Sequence, residues 1–396
     1  MKKGLLLSLS LFLLILIEIL KVYFIMPFPG SQKNDTIGIA YFINNNIWWM
    51  RIALAAIIML PLIHFLLKGK GWQKIVLISA LLLYGLIVYA FNFKFLADKM
   101  FYQPKIKSFM PVATDTTDIN KLIIGVALGS ESKAYPLEII GYHHQIKDTI
   151  GGEPIMVTYC TVCRTGRVYS PFVHGKYEQF RLVGMNHFNA MFEDASTKSW
   201  WQQENGTAIT GSLKGTALKE FPSAQMRWKE WETLHPNTLI LQPDKNFKAA
   251  YDSLKGYDEG TIKSSLEARD TASWKMKSWV VGVLISKQAK AYDWNALLNK
   301  HVIEDSFAST PLLLAIDSTS RSFFVMNRKI ETQTLHFNYN TAAKNLTDNE
   351  THSLWTISGL CIDGLLKGSQ LQSVSAYQEF WHSWQNFHKE TEMYKP

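Results

Sequence analysis

Three apolar windows open the chain, at residues 4–26, 47–67 and 75–91, and the rest alternates between short apolar runs and polar breaks. A bilayer core about 30 Å thick is crossed by about 20 helical residues, and a helix satisfies its own backbone in lipid. Each window is long enough, so the pattern predicts three transmembrane helices within residues 1–95. The first is read as an uncleaved anchor, because no small-x-small cleavage site precedes Pro27. Tyr23, Trp48, Trp49 and Trp72 fall near window ends, where amphipathic rings suit the headgroup region. Glu18, Arg51 and His64 are read as snorkelling or paired groups, since no broken or repeated helix suggests a transport path.

After residue 100 the period changes. Apolar runs such as 122–128, 155–159, 167–169 and 179–183 read as strands, and a short helix is expected after Pro136. The stretch 122–241 recurs, diverged, at 279–394. At an offset of 157, Lys133-Ala134-Tyr135 meets Lys290-Ala291-Tyr292, and His144, Asp148 and Pro154 meet His301, Asp305 and Pro311. At 154 and then 153, Thr197, Ser199 and Trp201 meet Thr351, Ser353 and Trp355, and Trp228, Trp231 and His235 meet Trp381, Trp384 and His388. So long a period marks a doubled domain rather than a solenoid. The expected architecture is α+β and strand-dominated, with two similar lobes from an internal duplication behind three transmembrane helices. The first lobe covers 104–241, a polar linker 242–278, and a second, degenerate lobe 279–396. A capping box at Ser375 and Gln378 is expected to open the last helix, with Trp381 and Trp384 on one face.

Charge adds orientation. Residues 1–100 hold ten Lys and Arg against three Asp and Glu, and the remainder 31 against 30. Lys2, Lys3, Lys68, Lys70 and Lys74 share one side of a three-span chain, which makes that side cytoplasmic. The chain is therefore read as a multi-pass protein of a bacterial inner membrane, its C-terminal domain facing the periplasm or cell exterior. The lipid bilayer is the one partner so implied; the nearly balanced outer domain offers no basic face for nucleic acid.

Three cysteines, 13% aromatic residues and 47% apolar residues exclude a disulfide-stapled mini-protein and a disordered chain. Cys160 and Cys163 form a Cys-x-x-Cys pair, and at the 157 offset they become Asp317 and Ser320. The fold does not need the thiols, so their role belongs to the first lobe. Following a β run and preceding another, the pair suits a metal knuckle better than a redox helix. His143, His144 and His187 are the candidate further ligands, and two thiolates with imidazoles suit copper or zinc. A dithiol redox centre of Cys160 and Cys163 with Arg164 is the alternative; another is a non-enzymatic binding module with a structural disulfide. His144 recurs as His301 and reads as a helix-end group bonding a carbonyl; His235 and His388 read as caps, Cys361 as a small buried residue and Trp201 as core. No reaction is legible.

The order of Lys133-Ala134-Tyr135-Pro136, His143, Asp148-Thr149-Ile150-Gly151-Gly152, Val157 to Cys163, Ser199-Trp200-Trp201 and His235-Pro236-Asn237-Thr238 resembles a bacterial family of unknown function, DUF3179. The resemblance covers about residue 104 to the end and implies a family His and Cys pair at His143, Cys160 and Cys163. It implies no reaction. Two departures stand out: the family usually has Pro after the first Cys and Gly after the second, where this chain has Thr161 and Arg164, and His144 replaces its usual acidic residue.

Overall fold

A computed structural model describes every residue except Met1, Ser318 and Pro396. The chain divides into two compact units, residues 1–102 with 173–217, and residues 103–172 with 218–396.

In the first unit, helices Lys2–Tyr23, Ile37–Lys68 and Gly71–Phe93 are each long and apolar enough to cross a membrane. The second starts ten residues before its apolar window. Asn44 and Asn46 do not break it, because their amides donate back to the carbonyls of Ala40 at 3.2 Å and Phe42 at 2.9 Å. Glu18 is sealed inside the helices and held in a fork by Arg51, Nε at 2.6 Å and Nη2 at 2.7 Å. Asn92 donates to Glu18 at 2.9 Å and accepts from Lys21 at 2.7 Å, so one polar cluster ties all three helices. Among apolar side chains an unpaired charge is costly, and here each charge has a partner.

The same unit holds a four-stranded antiparallel sheet, Phe180–Asn186, Asn189–Asp194, Trp200–Gln202 and Ala208–Thr210. Its Met185 N–H bonds the Ile25 carbonyl at 2.8 Å just past the first helix. A side chain at Gly184 would stand 2.2 Å from that carbonyl, so glycine allows the approach.

The second unit contains a five-stranded and a four-stranded sheet that share the order of four strands. One runs Phe109–Pro111, Leu239–Leu241, Glu131–Pro136, Leu122–Leu128, Ala224–Arg227; the other runs Glu392–Met393, Gln288–Asp293, Trp279–Ile285, Ala376–Phe380. Ala224–Arg227 and Ala376–Phe380 are therefore both edge strands. In each case the central hairpin of the sheet is followed along the chain by a meander, Gln145–Ile150, Glu153–Cys160 and Thr165–Tyr169 in one case, Val302–Phe307, Thr310–Ile316 and Phe323–Asn327 in the other. Sequence-matched residues make matched bonds. Tyr135 donates to Asp148 at 2.7 Å and Tyr292 to Asp305 at 2.8 Å. Trp231 donates to Thr238 at 3.0 Å and Trp384 to Thr391 at 2.8 Å.

Two expectations change. Ser375 and Gln378 form no capping box: Ala376–Phe380 is a strand, and the helix Trp381–Phe387 starts only after it, because pairing with Trp279–Ile285 takes those residues first. Residues 242–278 are also more than a connection, since Tyr251 and Tyr257 are buried in the core beside Tyr159 and Leu137.

Gly282 lies under Trp384, where an added Cβ would stand 2.1 Å from the ring. Gly282→Ala is expected to destabilise the protein by about 2 kcal/mol, as overpacking does, read as a lowered denaturation midpoint. An unchanged midpoint would contradict this packing.

Candidate functional site

The thiol pair sits where Glu153–Cys160 turns into Thr165–Tyr169. Three successive carbonyls of that turn are held by groups far away in sequence. Tyr257 donates its hydroxyl to Thr161 O at 2.9 Å, Lys277 its ammonium to Val162 O at 2.6 Å, and Phe380 its backbone N–H to Cys163 O at 3.0 Å. Thr161 also donates to Glu267 at 3.2 Å. The turn is thus closed by the connecting segment and by the C-terminal half of the unit. The sister turn docks the other way round, with Arg227 donating from Nε to Ser320 O at 2.8 Å and from its backbone to Ser322 Oγ at 3.1 Å.

Cys160, Cys163 and Cys361 are all buried free thiols, so the structural disulfide expected for the binding-module alternative is not formed. The Cys163 thiol hydrogen-bonds both Cys160 and Ser383. Burial pushes its pKa well above the usual thiol range, with Cys160 adding to the rise and Lys277 opposing it. Lys277 is itself lowered, first by burial. Metal ligation and thiol exchange both need the thiolate, so this environment opposes both. In the sister turn Asp317 replaces the first sulfur and accepts from the N–H of Thr319 at 2.7 Å and of Ser320 at 3.4 Å, a purely conformational task.

The histidines do not gather around the sulfurs. His143 lies at the end of the helix Leu137–His143, fully buried, its Nε2 2.7 Å from the Tyr251 hydroxyl. His144 is the left-handed C-cap of that helix, its Nδ1 2.9 Å from the Tyr159 carbonyl, the helix-end role read from the repeat. Burial lowers its pKa to about 4. His187 belongs to the other unit, at the turn between Phe180–Asn186 and Asn189–Asp194. Among the described residues no group of three or more His, Cys, Asp or Glu could hold a metal ion. Copper or zinc binding by Cys160, Cys163, His143, His144 and His187 is therefore not supported. Of the remaining readings, His235 and His388 are C-caps, each ring about 4 Å from its tryptophan; Cys361 is buried, and Trp201 is core, donating to Asp194 at 2.9 Å.

Around the turn lie two buried arginines. Arg164 has a left-handed backbone, φ 59°, which is where glycine is least strained and where the resembling family usually has it. Its side chain offsets the strain by donating from Nε to Gln378 at 2.9 Å, from Nη1 to Tyr257 O at 3.2 Å and from Nη2 to Asp258 O at 3.3 Å. The guanidinium also lies 3.9 Å over the Trp279 ring. Arg167 is paired with buried Glu379 and lies 3.5 Å over Tyr377.

Sequence reasoning missed Arg167, Tyr251, Tyr257, Lys277, Gln378, Glu379 and Ser383. A signal existed for the ion pair. At the repeat offsets Arg167 matches Phe324 and Glu379 matches Met226, and Phe324 packs against the apolar cluster containing Met226. A charged pair on one side of the interface stands where an apolar contact stands on the other.

Beside the turn, the edges Ala224–Arg227 and Ala376–Phe380 approach each other, joined by a Gln225 to Gln378 hydrogen bond of 2.9 Å. Towards their first residues they diverge into a cleft of about 610 Å³, walled by Phe221, Met226, Trp231, Phe324, Val374 and Tyr377.

Replacing Arg164 separates its two contributions. Arg164→Ala and Arg164→Gly are both expected to lower stability, and Ala to be worse than Gly by about 1 kcal/mol, because only Ala keeps the left-handed cost. Chemical denaturation of the pair measures this; equal stabilities would remove the strain argument.

No protein of curated function and no solved structure matches the chain. The family model described as "Protein of unknown function (DUF3179)" matches residues 102–391. Residues 103–172 and 218–391 of the second unit fall within that match, and the chain belongs to this family.

Proposed function

We propose that the chain is a membrane-anchored binding module, held by its three apolar helices, that takes its ligand in the cleft of about 610 Å³ between two lobes of common origin. The first lobe is assigned to 104–241, the connecting segment to 242–278 and the second lobe to 279–396. Their common origin is supported by the ordered sequence matches and the four-strand order that the two sheets share. The grouping of Lys2, Lys3, Lys68, Lys70 and Lys74 on one side supports an orientation with the C-terminal domain in the periplasm or at the cell exterior.

The observation that carries the reading is the contrast between cleft and thiols. The cleft has the size of a small-ligand site and mixes aromatic walls with hydroxyl and amide groups. The thiols are sealed in a turn whose carbonyls are held by Tyr257, Lys277 and Phe380. A second reading, a dithiol redox centre, draws on the contact of Cys163 with Cys160 and Ser383 near Lys277. In it, the pair passes two electrons and two protons to a disulfide-bearing partner and closes into a disulfide, while that partner leaves as two thiols.

Ligand-observed NMR with a library of small neutral aromatic fragments tests the leading reading on the full chain in detergent. Fragments are expected to bind the wild type and to lose about tenfold or more in affinity when Ser375→Trp fills the cleft, the cost of losing about one favourable contact. Fragment binding that ignores Ser375→Trp would reject the cleft as the site.

A further inference from the structure

The kind of ligand can be argued from backbone parity. In an antiparallel strand, a residue whose N–H points away from its partner strand is followed two positions on by another that does the same. Phe380 spends its N–H on Cys163 O, outside its own sheet, so Gln378 and Ala376 also point outward. Arg227 spends its N–H on Ser322 Oγ, so Gln225 points outward as well. Both edges therefore aim backbone groups towards the space between them. Outside their own sheets, the N–H groups of Gln225 and Ala376 make no backbone hydrogen bond among the described residues.

The facing edges do not pair. Where the 2.9 Å Gln225 to Gln378 bond joins them only a slit of about 10 Å³ is left, and beyond it they part into the cleft. We infer that the cleft binds an extended peptide segment, which adds as a strand along Ala224–Arg227 and Ala376–Phe380 and places alternate side chains against Trp231, Phe324 and Val374. The inference rests on the binding-module reading and names its ligand class. Added strands use main-chain bonds for affinity and pockets for every second side chain, and this cleft supplies both.

Charge narrows the class. The charged wall residue Glu220 is already engaged, accepting from Tyr377 at 3.0 Å and lying 3.7 Å from Arg167. The His235 imidazole is held below its usual pKa by burial. Lys and Arg are absent from the lining. A segment with neutral, apolar side chains at alternate positions fits; an acidic one meets no cation. The hydroxyls of Ser223, Ser373 and Ser375 have no partner among the described residues and stand at the cleft wall for the ligand's backbone.

The test pans a phage-displayed library of random octapeptides against the full chain in detergent, then resynthesises the enriched peptides with alternate amides N-methylated. Enriched peptides are expected to be neutral and apolar at every second position. Methylating one alternate set should weaken binding about 30-fold, the loss of two hydrogen bonds, and methylating the other set should not. Ala376→Pro, which deletes an outward N–H while leaving the ladder intact, should weaken the same peptides about tenfold with an unchanged circular dichroism spectrum. If that variant does not fold, the methylation series on the wild type decides alone. No enrichment over the unpanned library, equal loss from both sets, or binding of chitohexaose in place of any peptide would overturn the inference. Fragment binding lost in Ser375→Trp alongside failed panning would leave the cleft a ligand site and remove only the peptide.

Discussion

Closing the Cys160 turn against distant parts of the chain is the constraint on which the second unit depends. A turn of four residues exposes carbonyls that the strands on either side cannot reach, and a buried carbonyl without a donor costs on the order of 1–3 kcal/mol. Tyr257, Lys277 and Phe380 supply the three donors from separations of about 100 to 200 residues. Through them the connecting segment and the C-terminal half are fastened to one small turn. The edges Ala224–Arg227 and Ala376–Phe380 are brought face to face as a result, and the cleft is the space left where they part.

This arrangement explains the chemistry of the sulfurs. They are buried, and the Lys277 ammonium, the cation that acts on Cys163, is committed to two carbonyls, Val162 O and Leu266 O, both at 2.6 Å. Desolvation wins over that charge and raises the Cys163 pKa. At the matched position the Asp317 carboxylate accepts from the N–H groups of Thr319 and Ser320. Nearby, the Arg167 to Glu379 pair matches the apolar Phe324 and Met226 contact, a second asymmetry across the same interface.

Local signals were readable and distant ones were not. The three apolar helices, the strand Leu122–Leu128 and the matched Tyr and Asp, Trp and Thr positions followed from apolar length, period and ordered residue matches along the chain. The left-handed His144 and Arg164 left traces, one as a repeated helix end and the other as a departure from glycine. The burial of Tyr251 and Tyr257 was hidden because their surrounding residues are polar, so the segment read as a linker. The donors to the thiol turn were hidden because nothing in the period of a strand says which distant edge will face it. Metal ligation was inferred from residue types alone. The fold turns His143 to Tyr251 and His144 to Tyr159 O, and places His187 in the other unit.

The most direct measurement is iodoacetamide labelling of Cys160 and Cys163 across a denaturant series, read by mass spectrometry beside tryptophan fluorescence on the same samples. A turn sealed by these donors predicts negligible labelling throughout the native baseline, then labelling of both sulfurs at the midpoint where fluorescence changes. Rapid labelling of either sulfur while fluorescence remains native would show that the turn opens on its own, and the closure on which the cleft depends would not hold.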